Sequence, residues 1–287
     1  MNQTESTITQ SFLPKGSWLA EKFEIIQSEI VRDEIVDGWF LMGSVWPIVG
    51  IVGAYLLFVL KIGPTMMEKR KPFEMKGIIL AYNLFQVCQN AWLCWQLFGH
   101  PGSMSYAARY TCNPLGRHNN PFFIAICSGS WYFFMSKVYD LLDTVFFVLK
   151  KKQSHISFLH VYHHANMVFT SWAYLKYMKG EQGVFIGVLN AFVHVVMYSY
   201  YFLSALGPSV QKYLWWKKYI TRLQIIQFVM VITFLLGLLS FGCKILLSYA
   251  LYASLNAFIF LILFLNFYSK TYNKRKEVPR SVDDKTK

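Results

Sequence analysis

Charged residues are scarce in this chain of 287 residues: Asp, Glu, Lys and Arg make up only 15% of it, while 55% of the residues are hydrophobic. Because soluble domains carry about a quarter charged residues, this composition favours a membrane protein. The acidic sign is the scarcer one, with 15 Asp and Glu against 28 Lys and Arg. The sequence also lacks βαβ alternation and the ten-residue alternating segments of membrane barrels. These absences leave an all-α integral membrane protein.

Seven long apolar segments follow one another, and each reaches the roughly 20 residues that a membrane-spanning helix needs. They are residues 38–60, 77–99, 121–149, 156–175, 183–206, 223–242 and 245–269. The sequence therefore predicts seven transmembrane helices within residues 38–269, preceded by a segment 1–37 and followed by a basic tail 270–287. The short connections leave no room for a second folded domain.

The cations cluster in alternate connections. They lie between spans one and two, three and four, and five and six, and after span seven: Lys61, Lys69, Arg70, Lys71, Lys76; Lys150, Lys151, Lys152; Lys212, Lys217, Lys218, Arg222; and Lys270, Lys274, Arg275, Lys276, Arg280, Lys285, Lys287. The positive-inside rule predicts a lumenal N-terminus and a cytosolic C-terminus. Charge that marks membrane ends gives no reason to expect nucleic acid. It either sets topology and attracts anionic lipid, or forms a landing surface for an anionic ligand.

Cysteines are few, and only two of the five lie outside the apolar segments. Cys112 and Cys243 fall in different loops on the predicted lumenal side. Because the lumen of the endoplasmic reticulum permits disulfides, we predict a bridge between them, with two free thiols as the alternative. The same side carries Asn2 in a glycosylation sequon. We expect no cleavable signal peptide, because the first apolar segment is too long for one.

Ionisable residues at membrane depth usually face a protein interior or a cavity. In span three, Lys137, Asp140 and Thr144 follow helical steps of three and four and share a face, with Asp143 at its edge. Lys137 and Asp140 can pair. This pattern is typical either of a self-neutralised pair that joins helices or of a functional site.

Three further spans carry polar groups at helical spacing. The sequence His160-Val161-Tyr162-His163-His164 places three imidazoles on one face of span four. Asn190 and His194 lie on one face of span five, with Tyr198 and Tyr201; span six opens with Thr221, Gln224 and Gln227. The helical rise of about 1.5 Å per residue puts these groups in one layer in the cytosolic half. We predict a reaction centre buried in the bundle.

Histidine is too scarce for a di-iron centre, since the chain has seven and His100 and His118 fall on the lumenal side. One ion held by His160, His164 and Asp143 stays an alternative, but we expect no metal and no other cofactor. Acyl transfer fits better, because a histidine can act as a general base or as a nucleophile that forms an acyl-imidazole. An apolar bundle about 30 Å thick can hold a fatty chain.

These motifs resemble the very-long-chain fatty acid elongase (ELO) family, the condensing enzymes of fatty acid elongation in the endoplasmic reticulum, over about residues 38–275. The matching residues are Lys137…Asp143-Thr144, His160-Val161-Tyr162-His163-His164, Asn190…His194-Val195-Val196-Met197-Tyr198…Tyr200-Tyr201 and Thr221…Gln224…Gln227-Phe228. One departure is Asp140, where the family usually has Glu. The resemblance implies six helices around a narrow acyl tunnel. It also implies a 3-oxoacyl-CoA synthase that joins malonyl-CoA to a long-chain acyl-CoA with loss of CO₂ and CoA.

The resemblance also implies a role for each site residue. His163 is expected to accept the acyl group, and His194 either to lie near the thioester carbon or to act as the partner of His163. His160 and His164 are expected to orient and activate. Asp143 would fix an imidazole tautomer, while Lys137 balances the carboxylates or assists the malonyl carboxylate. The residues expected to stabilise developing negative charge or to contact CoA are Asn190, Tyr200, Gln224, Gln227, Thr221, Lys150, Lys151, Lys152 and Lys217.

Several alternatives stay open. Condensation can be concerted or can pass through a covalent acyl-enzyme. A seven-helix receptor or transporter is the second class of function, although span three is not followed by Asp-Arg-Tyr and span seven lacks Asn-Pro-x-x-Tyr. A metal-dependent lipid oxidase is the third class. We expect membrane lipid and the other elongation-cycle enzymes as partners, and a homo-oligomer is compatible with the sequence. The sequence does not determine the preferred acyl length or unsaturation.

Overall fold

The computed structural model describes residues 34–115, 119–177 and 181–272. Seven long helices dominate them: α1 Trp46–Met67, α2 Lys76–Gly99, α3 Phe123–Leu149, α4 Phe158–Tyr177, α5 Glu181–Leu206, α6 Lys217–Ser240 and α7 Leu247–Tyr272. Short helical segments occupy Glu34–Asp37, Ser103–Tyr110, Gln153–His155 and Pro208–Gln211. These three ranges contain no strand. The predictions for Asn2, His118 and the tail cations from Lys274 onward lie outside the described residues.

Helix α1 begins at Trp46, later than the predicted start at residue 38. The intervening residues form a turn in which Leu41 has a positive φ of 66°, a conformation that ends regular helix in either direction. The carbonyl of Leu41 accepts a hydrogen bond of 2.9 Å from the indole of Trp172 on α4. The apolar residues at the start of this segment therefore pack as a loop against the bundle.

Close packing brings α1 against α3. Within α1, the segment Phe58–Ile62 is π-helical, and the Gly63 N–H bonds to the Phe58 carbonyl. A Cβ at Gly63 would lie 2.6 Å from Cγ1 of Val148, so only glycine fits this contact. About two turns earlier on α1, the hydroxyl of Tyr55 lies 2.9 Å from Oγ1 of Thr144, one of the polar residues of α3.

Four helices are long and apolar enough to cross a membrane by length and composition: Trp46–Met67, Gln182–Leu206, Lys217–Ser240 and Leu247–Tyr272. The other three long helices, α2, α3 and α4, fall short because they carry most of the buried polar side chains of the bundle. Their lower hydropathy therefore marks the helices on which polar groups are concentrated.

Six of the long helices form a closed ring. Each packs on the next in the order α2, α3, α4, α7, α6, α5 and back to α2. Helix α1 lies outside the ring and contacts α3 and α4. An elongated cavity runs inside the ring, and all six ring helices line it. The ring therefore creates a shared interior to which residues far apart in the sequence contribute.

The two ends of the ring differ. At the basic end, the lysine-bearing connections α1–α2, α3–α4 and α5–α6 meet: Lys151 Nζ donates to the carbonyls of Glu68 and Arg70, and Lys76 Nζ donates to that of Leu206. At the opposite end, called the disulfide end, Cys112 is bonded to Cys243. The bonded pair is the one that the sequence predicts.

The disulfide fixes the loop after Ser103–Tyr110 to the α6–α7 loop. Gln182 strengthens the same junction, because its amide donates to the carbonyls of Thr111 and Lys244 at 3.0 Å each. The helix Ser103–Tyr110 contributes to the floor of the cavity. The disulfide end is thus closed by a cross-linked cap.

Removing this disulfide is expected to destabilise the fold. In the double variant Cys112→Ser, Cys243→Ser, loss of a cross-link across 131 residues should lower the free energy of unfolding by about 2–5 kcal/mol. Thermal unfolding in detergent measures the effect. The control is Cys88→Ser, which removes an exposed free thiol and no disulfide. Equal unfolding midpoints for the control and the double variant would contradict the expectation.

A candidate active site in the helical ring

A buried ion pair lies at the centre of the polar layer. Lys137 and Asp140 sit one turn apart on α3, and Lys137 Nζ lies 3.1 Å from Oδ2 of Asp140. Their exposed fractions are only 1% and 2%. The Lys137 ammonium also lies over the ring of Phe133, 4.7 Å from its centroid. Burial makes this pair costly unless further groups satisfy it.

His194 completes a cluster with the ion pair. Its Nδ1 lies 3.4 Å from Lys137 Nζ and 3.6 Å from Oδ2 of Asp140. Because α5 brings this imidazole to α3, the predicted convergence of spans three and five is present. The residue is buried, and its ring faces the interior of the bundle. The arrangement is a carboxylate–imidazole–ammonium group isolated from solvent.

Tyr198 links the two aspartates. Its hydroxyl lies 2.9 Å from Oδ1 of Asp140 and 2.7 Å from Oδ2 of Asp143. A phenol has one hydrogen, so it can donate to only one carboxylate at a time. The two aspartates are therefore coupled through one proton. The sequence led us to expect Asp143 beside an imidazole, but the carboxylate that lies 3.6 Å from Nδ1 of His194 is that of Asp140.

Helix α2 contributes polar residues that the sequence reasoning missed. The Gln86 amide lies 2.6 Å from Oδ1 of Asp140, and Tyr82 donates to the Tyr139 carbonyl. A signal was available, because Asn83, Gln86 and Asn90 recur at steps of three and four and so share one helix face. All three are buried.

The histidines of α4 have different surroundings. Nε2 of His160 lies 3.0 Å from Oγ1 of Thr144, which also bonds to the hydroxyl of Tyr55 at 2.9 Å. The ring of His164 packs against that of His160 at a tilt of 58°, with centroids 4.3 Å apart. Its Nδ1 is buried and lacks a hydrogen-bond partner among the described residues. Thr144 and Tyr55 thus orient His160, whereas Nδ1 of His164 accepts or donates no hydrogen bond within the described ranges.

His163 is the histidine of α4 that lines the cavity. Its ring packs edge-on against Phe260 of α7, with centroids 5.0 Å apart. Asn190 and Gln227 line the same cavity and are themselves buried. The side-chain oxygen of Asn190, Oδ1, has no hydrogen-bond partner among the described residues. The head of the cavity therefore combines one imidazole with two amides, one of which has a free acceptor.

The cavity extends from the polar layer to the disulfide end and has a volume of about 240 Å³. Along α4 its lining runs from His163 to Tyr174, about 16 Å at the helical rise per residue. Most of the lining is apolar, and small residues such as Gly129 and Gly187 keep it open. The shape suits a slender apolar chain that extends from His163 toward the disulfide end.

The other predicted substrate contacts lie nearer the basic end. Lys152 and Lys217 are exposed, Lys150 is half-buried, and Lys151 holds backbone carbonyls of the α1–α2 connection. Thr221 is buried in the first turns of α6. Partial burial, with Lys152 and Lys217 nearby, lowers the pKa of His155. The electrostatic potential at the basic end is therefore positive.

Two predicted residues lie apart from the polar cluster. Tyr200 packs edge-on against Trp216, with ring centroids 5.1 Å apart. The Gln224 amide lies 3.5 Å from the sulfur of Met197, and neither side chain lines the cavity. Within the described ranges, no three His, Cys, Asp or Glu side chains are grouped so as to hold a metal ion.

A family model described as "ELO: GNS1/SUR4 family" matches residues 40–280. The chain belongs to the ELO family. The very long chain fatty acid elongase 4 of Homo sapiens is 43% identical over 249 residues, which cover 86% of this chain and 78% of that protein. Elongase 7 of Rattus norvegicus is 40% identical over 255 residues, covering 88% and 90%. Elongase 7 of Drosophila melanogaster is 40% identical over 236 residues, covering 82% and 71%.

This ELO-family chain is a multi-pass membrane protein, since several of its helices are apolar enough to cross a bilayer. Its relatives carry names that place them in fatty acid elongation. The matched range includes every long helix that lines the cavity and the whole polar cluster.

Proposed function

We propose that this chain is a 3-oxoacyl-CoA synthase, the condensing enzyme of fatty acid elongation. It joins malonyl-CoA to a long-chain acyl-CoA with release of CO₂ and CoA. The observation that carries the proposal is the position of His163 at the head of an elongated apolar cavity, within the same layer as the buried Lys137–Asp140–His194 cluster. The names of its relatives support a role in fatty acid elongation.

The proposal includes the arrangement in the membrane. Residues 38–269 form one elongase domain that crosses the endoplasmic reticulum membrane seven times, with six helices around the acyl tunnel. Helices α2, α3 and α4 cross despite their polar groups, because those groups face the ring interior. The basic end and the tail 270–287 face the cytosol, and segment 1–37 faces the lumen.

The first chemical step is acyl transfer to His163. Its unprotonated ring nitrogen attacks the thioester carbon, the C–S bond breaks, and CoA leaves as the thiol after taking up the imidazole proton. The fatty chain occupies the cavity toward the disulfide end. The phosphates of CoA remain at the basic end, beside Lys150, Lys152, Lys217 and Thr221, where lysines neutralise them as point charges.

The contacts of His194 suit an electrophilic role. A protonated Lys137 can only donate, so Nδ1 of His194 accepts and its remaining hydrogen is on Nε2. That N–H can donate to the thioester oxygen as negative charge develops there. An imidazole held in this tautomer is a poor nucleophile, which leaves His163 for covalent attachment. His160 and His164 then position the face of α4 that carries His163.

The second step uses malonyl-CoA. Loss of CO₂ leaves an electron pair on the α-carbon, which attacks the carbonyl of acyl-His163. The C–N bond breaks, and the departing imidazole takes up one proton from water, which restores neutral His163. The amides of Asn190 and Gln227 lie at the cavity head, where donors stabilise the enolate and the oxyanion. The product is a 3-oxoacyl-CoA, which a reductase of the elongation cycle must consume next. The route uses side chains alone and no resident cofactor.

Purified protein tests both the class and the route. With acyl-CoA and malonyl-CoA, we expect stoichiometric CO₂ and 3-oxoacyl-CoA, unchanged by chelators. With acyl-CoA alone, we expect release of one CoA and a matching mass adduct on His163. A protein that leaves malonyl-CoA intact is not a condensing enzyme, and turnover without any adduct would replace the two-step route by the concerted one.

A further inference from the structure

Gln86 of α2 is completely enclosed, with an exposed fraction of 0%. Its amide nitrogen lies 2.6 Å from Oδ1 of Asp140, 3.0 Å from the hydroxyl of Tyr82 and 3.3 Å from that of Tyr198. The shortest contact is the one to the carboxylate, as expected for a charge-assisted hydrogen bond. Gln86 therefore connects α2 with α3 and α5.

The contacts divide the two oxygens of Asp140 between separate partners. Oδ1 accepts from Gln86 and Tyr198, while Oδ2 faces Lys137 at 3.1 Å and His194 at 3.6 Å. A carboxylate rotates as a unit, so a group that fixes Oδ1 also fixes the direction of Oδ2. Tyr198 alone is a weak anchor, because its single hydrogen is shared with Asp143.

We propose that Gln86 is a positioning residue for catalysis, which anchors Oδ1 of Asp140 so that Oδ2 faces Lys137 and His194. The inference deepens the proposed function and rests on it. Gln86 does not line the cavity, and its amide nitrogen faces Asp140, Tyr82 and Tyr198. It acts through Asp140 on the Lys137 ammonium, which in turn donates to Nδ1 of His194. Its effect should therefore appear in kcat more than in the KM for either CoA substrate.

The competing interpretation is that Gln86 only joins α2 to α3. Helix α2 offers a matched control for that role, because Gln89 lies one turn further along. The Gln89 amide donates to the backbone carbonyl of Tyr132 on α3 at 3.4 Å. It therefore bridges the same two helices without a contact to any ionisable group of the cluster.

The first experiment compares Gln86→Met with Gln89→Met. Methionine keeps the side-chain length and removes the amide. We expect Gln86→Met to lower kcat about tenfold to a hundredfold, the worth of one hydrogen bond to a charged group, with KM changed by less than about threefold. Gln89→Met should leave kcat within about twofold. Equal kcat values in the two variants, per folded molecule, would overturn the proposal.

The second experiment lengthens the side chain at position 140 and shortens the one at position 86. It tests the proposal even if Gln86→Met fails to fold. Asp140→Glu adds a methylene where the contact is already 2.6 Å, so crowding should lower kcat. Gln86→Asn removes a methylene and should open the contact. The double variant preserves the summed reach, and its kcat should exceed the product of the two single effects at least tenfold. Additive losses would show that Gln86 does not act through Asp140.

Failure of this inference is distinguishable from failure of the proposed function. Wild-type protein that neither consumes malonyl-CoA nor releases CO₂ defeats the function itself. Active wild-type protein with additive Gln86 and Asp140 variants defeats only the positioning role. Both sets of variants are assayed as full-length protein in the same detergent, with the folded fraction measured by size-exclusion chromatography.

Discussion

Replacing His163 with alanine is expected to abolish both the covalent adduct and elongation. The imidazole of His163 lines the cavity head and lies against Phe260, where the thioester carbon of a chain held in the cavity must stop. Without a nucleophile the acyl group cannot leave CoA, so kcat should fall by about three orders of magnitude or more. Incubation with acyl-CoA followed by intact-mass analysis measures the adduct, and malonyl-CoA-dependent product formation measures turnover.

His155→Ala is the control for this variant. His155 lies in the short segment Gln153–His155 at the basic end, where it is exposed and packs against Phe147, with ring centroids 5.1 Å apart. The control should form the adduct and turn over within about threefold of wild type. A His163→Ala protein that still elongates would transfer the nucleophile's role to another residue and overturn the two-step route as written.

The second large effect is expected for Lys137→Met. The variant leaves the carboxylate of Asp140 buried without its cation and removes the donor to Nδ1 of His194. Breaking one partner of a buried pair costs about 3–5 kcal/mol of stability. We also expect kcat to fall at least about a hundredfold, because the imidazole of His194 loses its fixed tautomer.

Lys176→Met separates stability from catalysis. Lys176 is also buried, and its ammonium contacts Asp37 at 2.6 Å and the carbonyl of Met42, at the disulfide end and away from the polar layer. Both variants should lower the thermal midpoint, but only Lys137→Met should lower kcat per folded molecule. Equal losses of kcat would mean that Lys137 serves only as a structural ion pair.

Much of the site could be predicted because polar residues in apolar helices are conspicuous. Lys137, Asp140 and His194 stand out in segments that are otherwise apolar, and helical spacing assigns each to a face. The structure brings these three within contact distance. His160 and His163 share a face of α4 as predicted, yet only His163 lines the cavity.

The contribution of α2 illustrates what the pattern hides. Gln86 and Asn90 are uncharged amides, which cost less in a membrane helix than ions do, so they are easily taken for ordinary interhelical contacts. The sequence spacing shows that these amides share one face of α2, but it does not show which residues of other helices they contact. Only the packing of α2 against α3 shows that Gln86 meets Asp140. The predicted start of α1 at residue 38 is wrong for a similar reason. Tertiary contacts hold Leu41 in a turn, and the helix begins at Trp46.

The sequence by itself determined the long helices, the faces that carry polar groups, the pairing candidates among the cysteines and the family resemblance. These properties depend on hydropathy and on the periodicity of a single helix, which neighbouring residues set locally. The tertiary structure alone decided which carboxylate faces which imidazole, which histidine reaches the cavity and which amide anchors Asp140. Those outcomes depend on the rotation and lateral order of the helices. Because lipid is as apolar as the helix surfaces, side-chain packing sets that order and hydropathy does not.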